Sequence, residues 1–177
     1  MKVVLMGYMG SGKTSVGKKL SKVLKIPFLD LDDYISKKEE LTIPEVFKQK
    51  GEIYFRKKET QYLEELLTND ENFILSVGGG TPCYASNIEI ITKNSFSIYL
   101  KSNISTIYNR LSNQKSKEKR PLIASVPLDK LEEFIAKHLF ERAPFYEQAT
   151  QTIIVDKKTV KEIADEINLS IRQKNFL

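Results

Sequence analysis

The feature that most constrains the fold of this chain is the segment GYMGSGKT at residues 7–14. It follows a short apolar run at residues 3–6 and precedes an amphipathic segment over residues 15–24. A strand, a glycine-rich turn and a helix in this order form the setting in which G-x-x-x-x-G-K-[ST] binds phosphate. Glycines let backbone N–H groups approach an anion, and the following helix adds its N-terminal partial positive charge. The segment therefore predicts a site for a nucleoside triphosphate.

The last two positions of this phosphate-binding loop carry specific chemistry. Lys13 supplies a full positive charge for the β- and γ-phosphates, and the Thr14 hydroxyl is a ligand suited to magnesium. A plain glycine-rich turn before an ordinary helix is the alternative, but all four fixed positions of the motif are filled. We therefore expect a nucleoside triphosphate and Mg²⁺ as ligands.

Composition excludes several classes of protein. With 177 residues, of which 41% are hydrophobic, the chain is long enough for one domain with a sizeable core. No apolar run reaches the roughly eighteen residues of a membrane span, and the single cysteine, Cys83, favours a reducing compartment. The net charge of +5 suits anionic ligands, but the lysines are scattered, so nucleic acid is not an expected partner. We expect a cytoplasmic monomer that does not bind membranes.

Glycine and arginine are concentrated at a few positions. Six of the eight glycines are Gly7, Gly10, Gly12, Gly78, Gly79 and Gly80. The second group presents bare N–H groups after an apolar run, although a flexible turn alone is the alternative. The five arginines are Arg56, Arg110, Arg120, Arg142 and Arg172. Because lysine is the usual cation here, each arginine is a candidate for bidentate anion binding, with a surface ion pair as the alternative.

Short apolar runs alternate with helical patterns, which predicts a parallel sheet with crossover helices. The candidate strands are residues 2–6, Phe28–Asp30, Phe73–Val77, Ser95–Leu100 and Thr152–Val155. Capping boxes at residues 42–45 and 159–162 predict two helix starts. We expect one α/β domain over residues 1–177, with three layers and a central five-stranded parallel sheet flanked by helices. A polar loop that begins at residue 112 is long enough to serve as a lid.

Charged residues follow the second candidate strand and recur in the next helical segment. Alternation along a strand would point Asp30 and Asp32 the same way, at the sheet edge where open α/β sheets bind ligands. Two carboxylates there suit a metal shell and an acceptor hydroxyl; alternatively, Asp32 or Asp33 caps the next helix. Arg56 and Glu59 are three residues apart and can pair on a helix, either to orient the guanidinium group or as a plain surface pair.

In combination, these motifs resemble those of shikimate kinases, which belong to the nucleoside-monophosphate-kinase-like P-loop family. The resemblance covers essentially the whole chain. It rests on GYMGSGKT, FLDxD at 28–32, GExxFRxxE at 51–59, GGG at 78–80, RPL at 120–122 and ERAPFYEQA at 141–149. It implies a mobile lid over residues 112–126 and an acceptor-binding helical region over residues 32–62.

The resemblance also implies the reaction, a step of the chorismate pathway to aromatic amino acids. The γ-phosphoryl group of ATP would be transferred to the 3-hydroxyl of shikimate, giving shikimate 3-phosphate and ADP. The implied catalytic residues are Lys13, Asp32 and Arg120, with Asp32 accepting the hydroxyl proton. The implied ATP-binding residues are Gly10, Ser11, Gly12, Lys13, Thr14, Ser15, Arg110 and Arg120. The implied shikimate-binding residues are Asp32, Arg56, Gly78, Gly79, Gly80 and Arg142. Magnesium would be held by Thr14 directly and by Asp30 through water.

Other functions fit parts of the same sequence. Gluconate also carries a carboxylate and hydroxyl groups, so a gluconate kinase is harder to distinguish from a shikimate kinase than a nucleoside monophosphate kinase is. A nucleoside monophosphate kinase would need more arginines around its acceptor phosphate. A nucleotide-binding module without transfer activity is the third alternative, although the N-K-x-D sequence that reads guanine is absent.

Overall fold

Five parallel strands form the centre of the fold. The structure, a computed structural model, describes residues 1–113 and 121–174. The strands are β1 Lys2–Met6, β2 Phe28–Asp30, β3 Phe73–Ser76, β4 Phe96–Lys101 and β5 Gln151–Ile154. They lie in one sheet in the order β2-β3-β1-β4-β5, and every neighbouring pair is parallel. The first strand of the chain is therefore the central one, and the predicted five-stranded parallel sheet is confirmed.

Helices connect the strands and cover both faces of the sheet. They are α1 Lys13–Leu24, α2 Leu31–Glu39, α3 Ile43–Thr68, α4 Asn87–Asn94, α5 Ile104–Leu111, α6 Pro121–Ala124, α7 Leu128–Tyr146 and α8 Val160–Lys174, with a 3₁₀ turn at Thr81–Cys83. Both predicted capping boxes are present. Thr42 and Glu45 exchange backbone-to-side-chain hydrogen bonds at the start of α3, and Thr159 and Glu162 do so at α8.

Alternation along β1 divides the core into two layers. Val3 and Leu5 belong to a cluster that includes Val16 of α1 and Ile163 of α8, and α1 packs against α8. Val4 and Met6 face the opposite side, where their cluster draws on side chains of α2, α3, α5 and α7. The sheet is thus covered on both faces, as the expected three-layer α/β fold requires.

The observed boundaries differ slightly from the predicted ones. β3 ends one residue earlier than expected, β4 is shifted one residue later and β5 one residue earlier; such differences are ordinary at element ends. Residues 114–120, which include nearly half of the predicted lid over residues 112–126 and the candidate residue Arg120, lie outside the described residues. Among the helices that the structure describes, none has the length and apolar character to cross a membrane.

Candidate active site

A cleft of about 790 Å³ opens where the phosphate-binding loop and the end of β3 meet. Its lining residues are Met9, Gly10, Ser11, Gly12, Lys13, Thr14, Ser15, Val16, Asp30, Asp32, Ser76, Val77, Gly78, Gly79, Arg110, Leu122, Lys158, Val160 and Ile163. The carboxyl ends of parallel strands are the usual ligand-binding edge of such sheets. One cleft therefore collects the loop, two acidic residues and two of the three consecutive glycines.

The phosphate-binding loop has the backbone of an anion cradle. Gly12 has φ 100° and directly precedes α1, a left-handed conformation that other residues adopt only with strain. Because α1 begins at Lys13, the N–H groups of its first turn, which no carbonyl group within the helix can accept, lie beside the loop. The Lys13 Nζ donates to the carbonyl oxygens of Gly7 and Tyr8, at 2.8 and 3.1 Å. These bonds hold the ammonium group across the loop.

Asp30 and Asp32 meet in the cleft for a different reason from the expected one. Strand alternation does not apply, because β2 ends at Asp30 and α2 begins at Leu31. Nor does Asp32 or Asp33 cap the helix: Asp30 is the cap, and its Oδ1 accepts a hydrogen bond from the Asp32 N–H at 3.2 Å. The other oxygen of Asp30 accepts from Thr14 Oγ1 at 3.4 Å. The Asp32 side chain therefore does not cap α2, although it lies in the first turn of that helix.

Burial and mutual repulsion change the acidity of these two carboxyl groups. Burial raises the pKa of Asp30, against the effect of the hydrogen bond from the Asp32 N–H. Burial also raises the pKa of Asp32, to about 6, and the charges of Asp30 and Glu59 add to this effect while Lys13 opposes it. The repulsion among these carboxylates means that a nearby positive charge favours their ionised form, as Lys13 does for Asp32.

The consecutive glycines allow two arginines to reach the same turn. A β-carbon placed on Gly80 would lie 3.1 Å from Nη2 of Arg56, and one placed on Gly79 would lie 3.5 Å from Nη1 of Arg142. A side chain at Gly80 would therefore push the Arg56 guanidinium group away. Arg56 comes from α3 and Arg142 from α7, so residues far apart in sequence meet beside the cleft.

Arg56 is held by acidic partners. Its Nη1 donates to Glu59 Oε2 at 2.7 Å, which confirms the predicted pair, and its Nε lies 3.5 Å from Glu52 Oε1. Glu59 is only 1% exposed, and its second oxygen accepts a bond from Thr81 Oγ1 at 2.5 Å. Asn87 Nδ2 donates to the Thr81 carbonyl oxygen at 2.9 Å. A buried polar chain thus fixes the direction of the Arg56 guanidinium group.

Arg142 has aromatic neighbours instead. Its guanidinium carbon lies 5.8 Å from the ring centre of Tyr8, and it makes no ion pair with any residue in the described ranges. On the same helix, the buried Tyr146 hydroxyl donates to the Gly79 carbonyl oxygen at 2.6 Å. Arg142 therefore keeps a positive charge that no acidic side chain offsets in the part of the chain described.

Arg110, which was expected at the site, donates from Nη1 to the Gly10 carbonyl oxygen at 2.8 Å.

The cleft also contains residues that the sequence did not single out. Lys158, Val160 and Ile163 line the same cleft and were missed. The capping box at residues 159–162 predicts where α8 begins, but no local pattern predicts that this end of the helix lies at the cleft. Tyr146 and Thr81 were missed as supports of the glycine turn, and only buried contacts reveal them.

A magnesium ion would find few protein ligands here. Within the described ranges there is no cluster of three or more histidine, cysteine, aspartate or glutamate side chains suited to a metal. The Thr14 hydroxyl and the Asp30 carboxylate are 3.4 Å apart beside the loop. Magnesium commonly takes only one or two protein oxygens and completes its shell with water and phosphate. The residues present therefore fit this ion.

Comparison with known proteins agrees with this geometry. A family model described as shikimate kinase matches residues 9–172. The shikimate kinase of Flavobacterium johnsoniae is 50% identical over 94% of this chain and 96% of its own length. A shikimate kinase from Acinetobacter baumannii, solved in complex with shikimate, is 32% identical with a TM-score of 0.84, covering 98% of this chain and 93% of that one. The shikimate kinase structure from Bacteroides thetaiotaomicron is 31% identical with a TM-score of 0.88, covering 97% and 98%. The chain belongs to the shikimate kinase family.

Proposed function

We propose that this protein transfers the γ-phosphoryl group of ATP to the 3-hydroxyl of shikimate, giving shikimate 3-phosphate and ADP in the chorismate pathway. Membership of the shikimate kinase family supports this activity. The observation that carries it is the approach of Arg56 and Arg142 to successive glycines beside a phosphate-binding loop. Two guanidinium groups at one turn suit a small acceptor that carries a carboxylate.

The nucleotide occupies the half of the cleft formed by the phosphate-binding loop. The backbone N–H groups of residues 10–15 and the Lys13 ammonium group bind the β- and γ-phosphates, as the first turn of α1 favours. Arg110 flanks the adenine, and Val160 offers an apolar surface in the same cleft. Support comes from the bond between Arg110 and the Gly10 carbonyl oxygen, which fixes this arginine beside the loop.

Shikimate occupies the half of the cleft near the glycine turn. The carboxylate binds Arg142, whose charge no described acidic residue offsets, together with Arg56, which Glu59 orients. Asp32 and the backbone of Gly78, Gly79 and Gly80 bind the ring hydroxyls. A β-carbon on Gly78 would lie 3.7 Å from Oδ1 of Asp32, which supports a common site for these groups.

Thr14 and Asp30 would hold a magnesium ion, Thr14 directly and Asp30 through water. The ion, when bound, supplies positive charge against the phosphate oxygens. The hydrogen bond between Thr14 and Asp30 supports this assignment, because it keeps both oxygens on the same side of the loop.

Asp32 accepts the proton of the 3-hydroxyl while the hydroxyl oxygen forms its bond to the γ-phosphorus. The bond between that phosphorus and the β–γ bridging oxygen breaks at the same time, and ADP leaves. With a pKa of about 6, the Asp32 carboxyl is largely ionised at neutral pH and can take the proton. Lys13 and Arg120 offset the negative charge that spreads over the transferring group.

Residues 112–126 form the lid, which brings Arg120 to the phosphates, and residues 32–62 form the acceptor-binding region. We further propose one domain over residues 1–177 that acts as a cytoplasmic monomer. The single sheet and the free thiol of Cys83 support these assignments. Light scattering of the purified protein would test the oligomeric state.

The deciding experiment supplies ATP and magnesium with shikimate, gluconate, a nucleoside monophosphate or no acceptor. Formation of shikimate 3-phosphate with matching release of ADP supports the proposal. Transfer to gluconate or to the monophosphate would indicate a different small-molecule kinase of the same fold. Nucleotide binding without transfer to any acceptor would indicate a non-catalytic module. The Lys13→Ala variant serves as the blank for contaminating kinases.

A further inference from the structure

Glu39, the last residue of α2, is a buried acceptor for several donors on α3. Its side chain is 5% exposed. Its carboxylate accepts hydrogen bonds from the Tyr54 hydroxyl at 2.7 Å, from the Tyr62 hydroxyl at 2.7 Å and from Lys50 Nζ at 2.9 Å. Lys58 Nζ lies 3.9 Å from the same carboxylate. One side chain thus connects the end of α2 to more than two turns of the next helix.

These donors lie on both sides of a break in α3. Gly51 has φ 82° and ψ 169°, which divides the helix into two segments. Lys50 precedes the break and Tyr54 follows it, and both donate to Oε2 of Glu39. Apart from Gly51, its two chain neighbours and the adjoining backbone of α3, no described atom lies within 4 Å of the position that a Gly51 β-carbon would take. Because nothing packs there, contacts away from the break determine the angle between the segments.

The elements that Glu39 joins carry the two sides of the proposed acceptor site. Asp32 stands in the first turn of α2, and Arg56 lies in α3 between the donors Tyr54 and Lys58. A small rotation of one helix against the other would change the separation of the Asp32 carboxylate and the Arg56 guanidinium group. Errors of about 1 Å in the placement of a substrate reduce rates by up to roughly 10²-fold.

We propose that Glu39 is a positioning residue that sets the placement of Asp32 relative to Arg56 and thereby the binding of the acceptor. The inference rests on the proposed function, because it assigns the acceptor site to these helices. Glu39 does not line the cleft and acts only through α2 and α3.

Glu65 provides a matched comparison within the same pair of helices. Its Oε1 accepts bonds from the Tyr34 hydroxyl and from Lys38 Nζ of α2, each at 2.8 Å. This connection also joins α2 to α3 through a tyrosine and a lysine. It differs because the Glu65 side chain is 44% exposed and because Glu65, which follows the break, contacts only residues of α2 and does not connect the two segments of α3. Exposed ion pairs contribute little to rigidity.

The test compares Glu39→Gln with Glu65→Gln in steady-state kinetics with each substrate varied. Glutamine keeps the volume of the side chain, removes its charge and replaces one acceptor oxygen by a donor. We expect Glu39→Gln to raise the KM for shikimate and to lower kcat/KM for shikimate by about tenfold or more. The KM for ATP should stay unchanged, because α1 and the loop lie outside the contact. Glu65→Gln should retain the wild-type constants for both substrates.

Equal changes in the two KM values, or wild-type constants in Glu39→Gln, would overturn the inference. If Glu39→Gln does not fold, the double variant of Tyr54→Phe with Tyr62→Phe decides, since it removes two donors and keeps the charge. A higher shikimate KM in that variant supports the inference and an unchanged one overturns it.

A wild-type protein that does not phosphorylate shikimate would contradict the proposed function instead. Hydrogen exchange of the backbone over residues 43–50 then tests the contact without a substrate. Faster exchange there in Glu39→Gln than in Glu65→Gln supports the structural half of the inference, and equal rates overturn it.

Discussion

The carboxylate of Glu59 accepts a 2.7 Å hydrogen bond from Nη1 of Arg56 although Glu59 is almost completely buried. A buried ionised carboxylate needs a charged partner, and Arg56 is that partner in the described chain. The same guanidinium group lies against Gly80, where Nη2, Nη1 and Cζ are 3.1, 3.3 and 3.4 Å from the position that a β-carbon would take. The Arg56 guanidinium group therefore pairs with Glu59 and also lies against the glycine turn.

Arg56→Lys should weaken the use of shikimate while leaving the affinity for ATP nearly unchanged. A lysine ammonium can stay near Glu59 but cannot form the planar fork that matches a carboxylate. Breaking one side of a buried charged pair costs about 2–5 kcal/mol. The measurement is kcat/KM for shikimate and for an analogue without the carboxylate, in wild type and variant, with the exposed Arg172→Lys as control. Strictly additive losses would show that Arg56 does not touch the carboxylate.

Asp32→Asn should reduce turnover by about 10²–10⁴-fold, because the amide keeps the shape of the side chain but cannot accept the proton. Asp33 is adjacent in sequence and exposed, so Asp33→Asn is the matched control and should retain turnover. Single-turnover measurements with saturating ATP and shikimate isolate the chemical step. An Asp32→Asn rate within a few-fold of wild type would remove Asp32 from the role of general base.

Lys13→Ala should lower turnover by about 10²–10³-fold, since a charge aimed at the transferring group is lost. The melting temperature should change little, because Lys13 is half-buried and its ammonium group bonds to the loop carbonyl oxygens of Gly7 and Tyr8. Lys18→Ala, at an exposed position of the same helix, should match wild type in both measurements. If Lys13→Ala were less stable but kept the wild-type turnover per folded molecule, Lys13 would have a structural role and not a catalytic one.

Glu39 should make the free energy of unfolding depend on pH in the acid range. Burial alone would raise the pKa of this carboxyl, but hydrogen bonds from Lys50, Tyr62 and Tyr54 outweigh it and lower the pKa to about 2, from an ordinary value of 4.5. The folded state therefore gains stability from Glu39 above pH 4.5 and loses it as the pH falls toward 2.

Urea unfolding across this pH range measures the effect. Glu39→Gln should unfold at lower urea than wild type near neutral pH, and the two midpoints should converge as the pH falls. Glu65→Gln should stay close to wild type throughout, because its exposed contacts are screened by solvent. Parallel curves for wild type and Glu39→Gln would show that the Glu39 carboxylate is not held in its ionised form.

Local patterns were sufficient to predict most of the fold. The apolar runs of the five strands were located to within one residue, because each run is short and bounded by polar or turn-forming residues. The capping boxes of Thr42 and Thr159 were predicted from side chains three residues apart, which is a local geometry. Such patterns involve only residues that are close in sequence, so they can be recognised without knowledge of tertiary contacts.

The site was harder to derive because its residues meet through the fold. No local pattern brings Arg142 to Gly79, and only the resemblance grouped them before the structure did. Strand alternation was expected to point Asp30 and Asp32 the same way, but a helix starts between them and Asp30 caps it. The Glu39 contacts with α3 were not predicted, since a helical break at Gly51 separates their donors and the sequence alone does not reveal it.

The position of β1 in the sheet has a consequence for how the chain folds. β1 is the first strand in sequence, yet both of its partners, β3 and β4, come much later, and α1 rests on the distant helix α8. Such non-local pairings slow folding, because long loops close before the contacts form. During synthesis, the strand that leads into the phosphate-binding loop has no second neighbour until residue 101 has emerged. The framework around the phosphate-binding loop is therefore complete only when α8, which follows at residues 160–174, packs against α1.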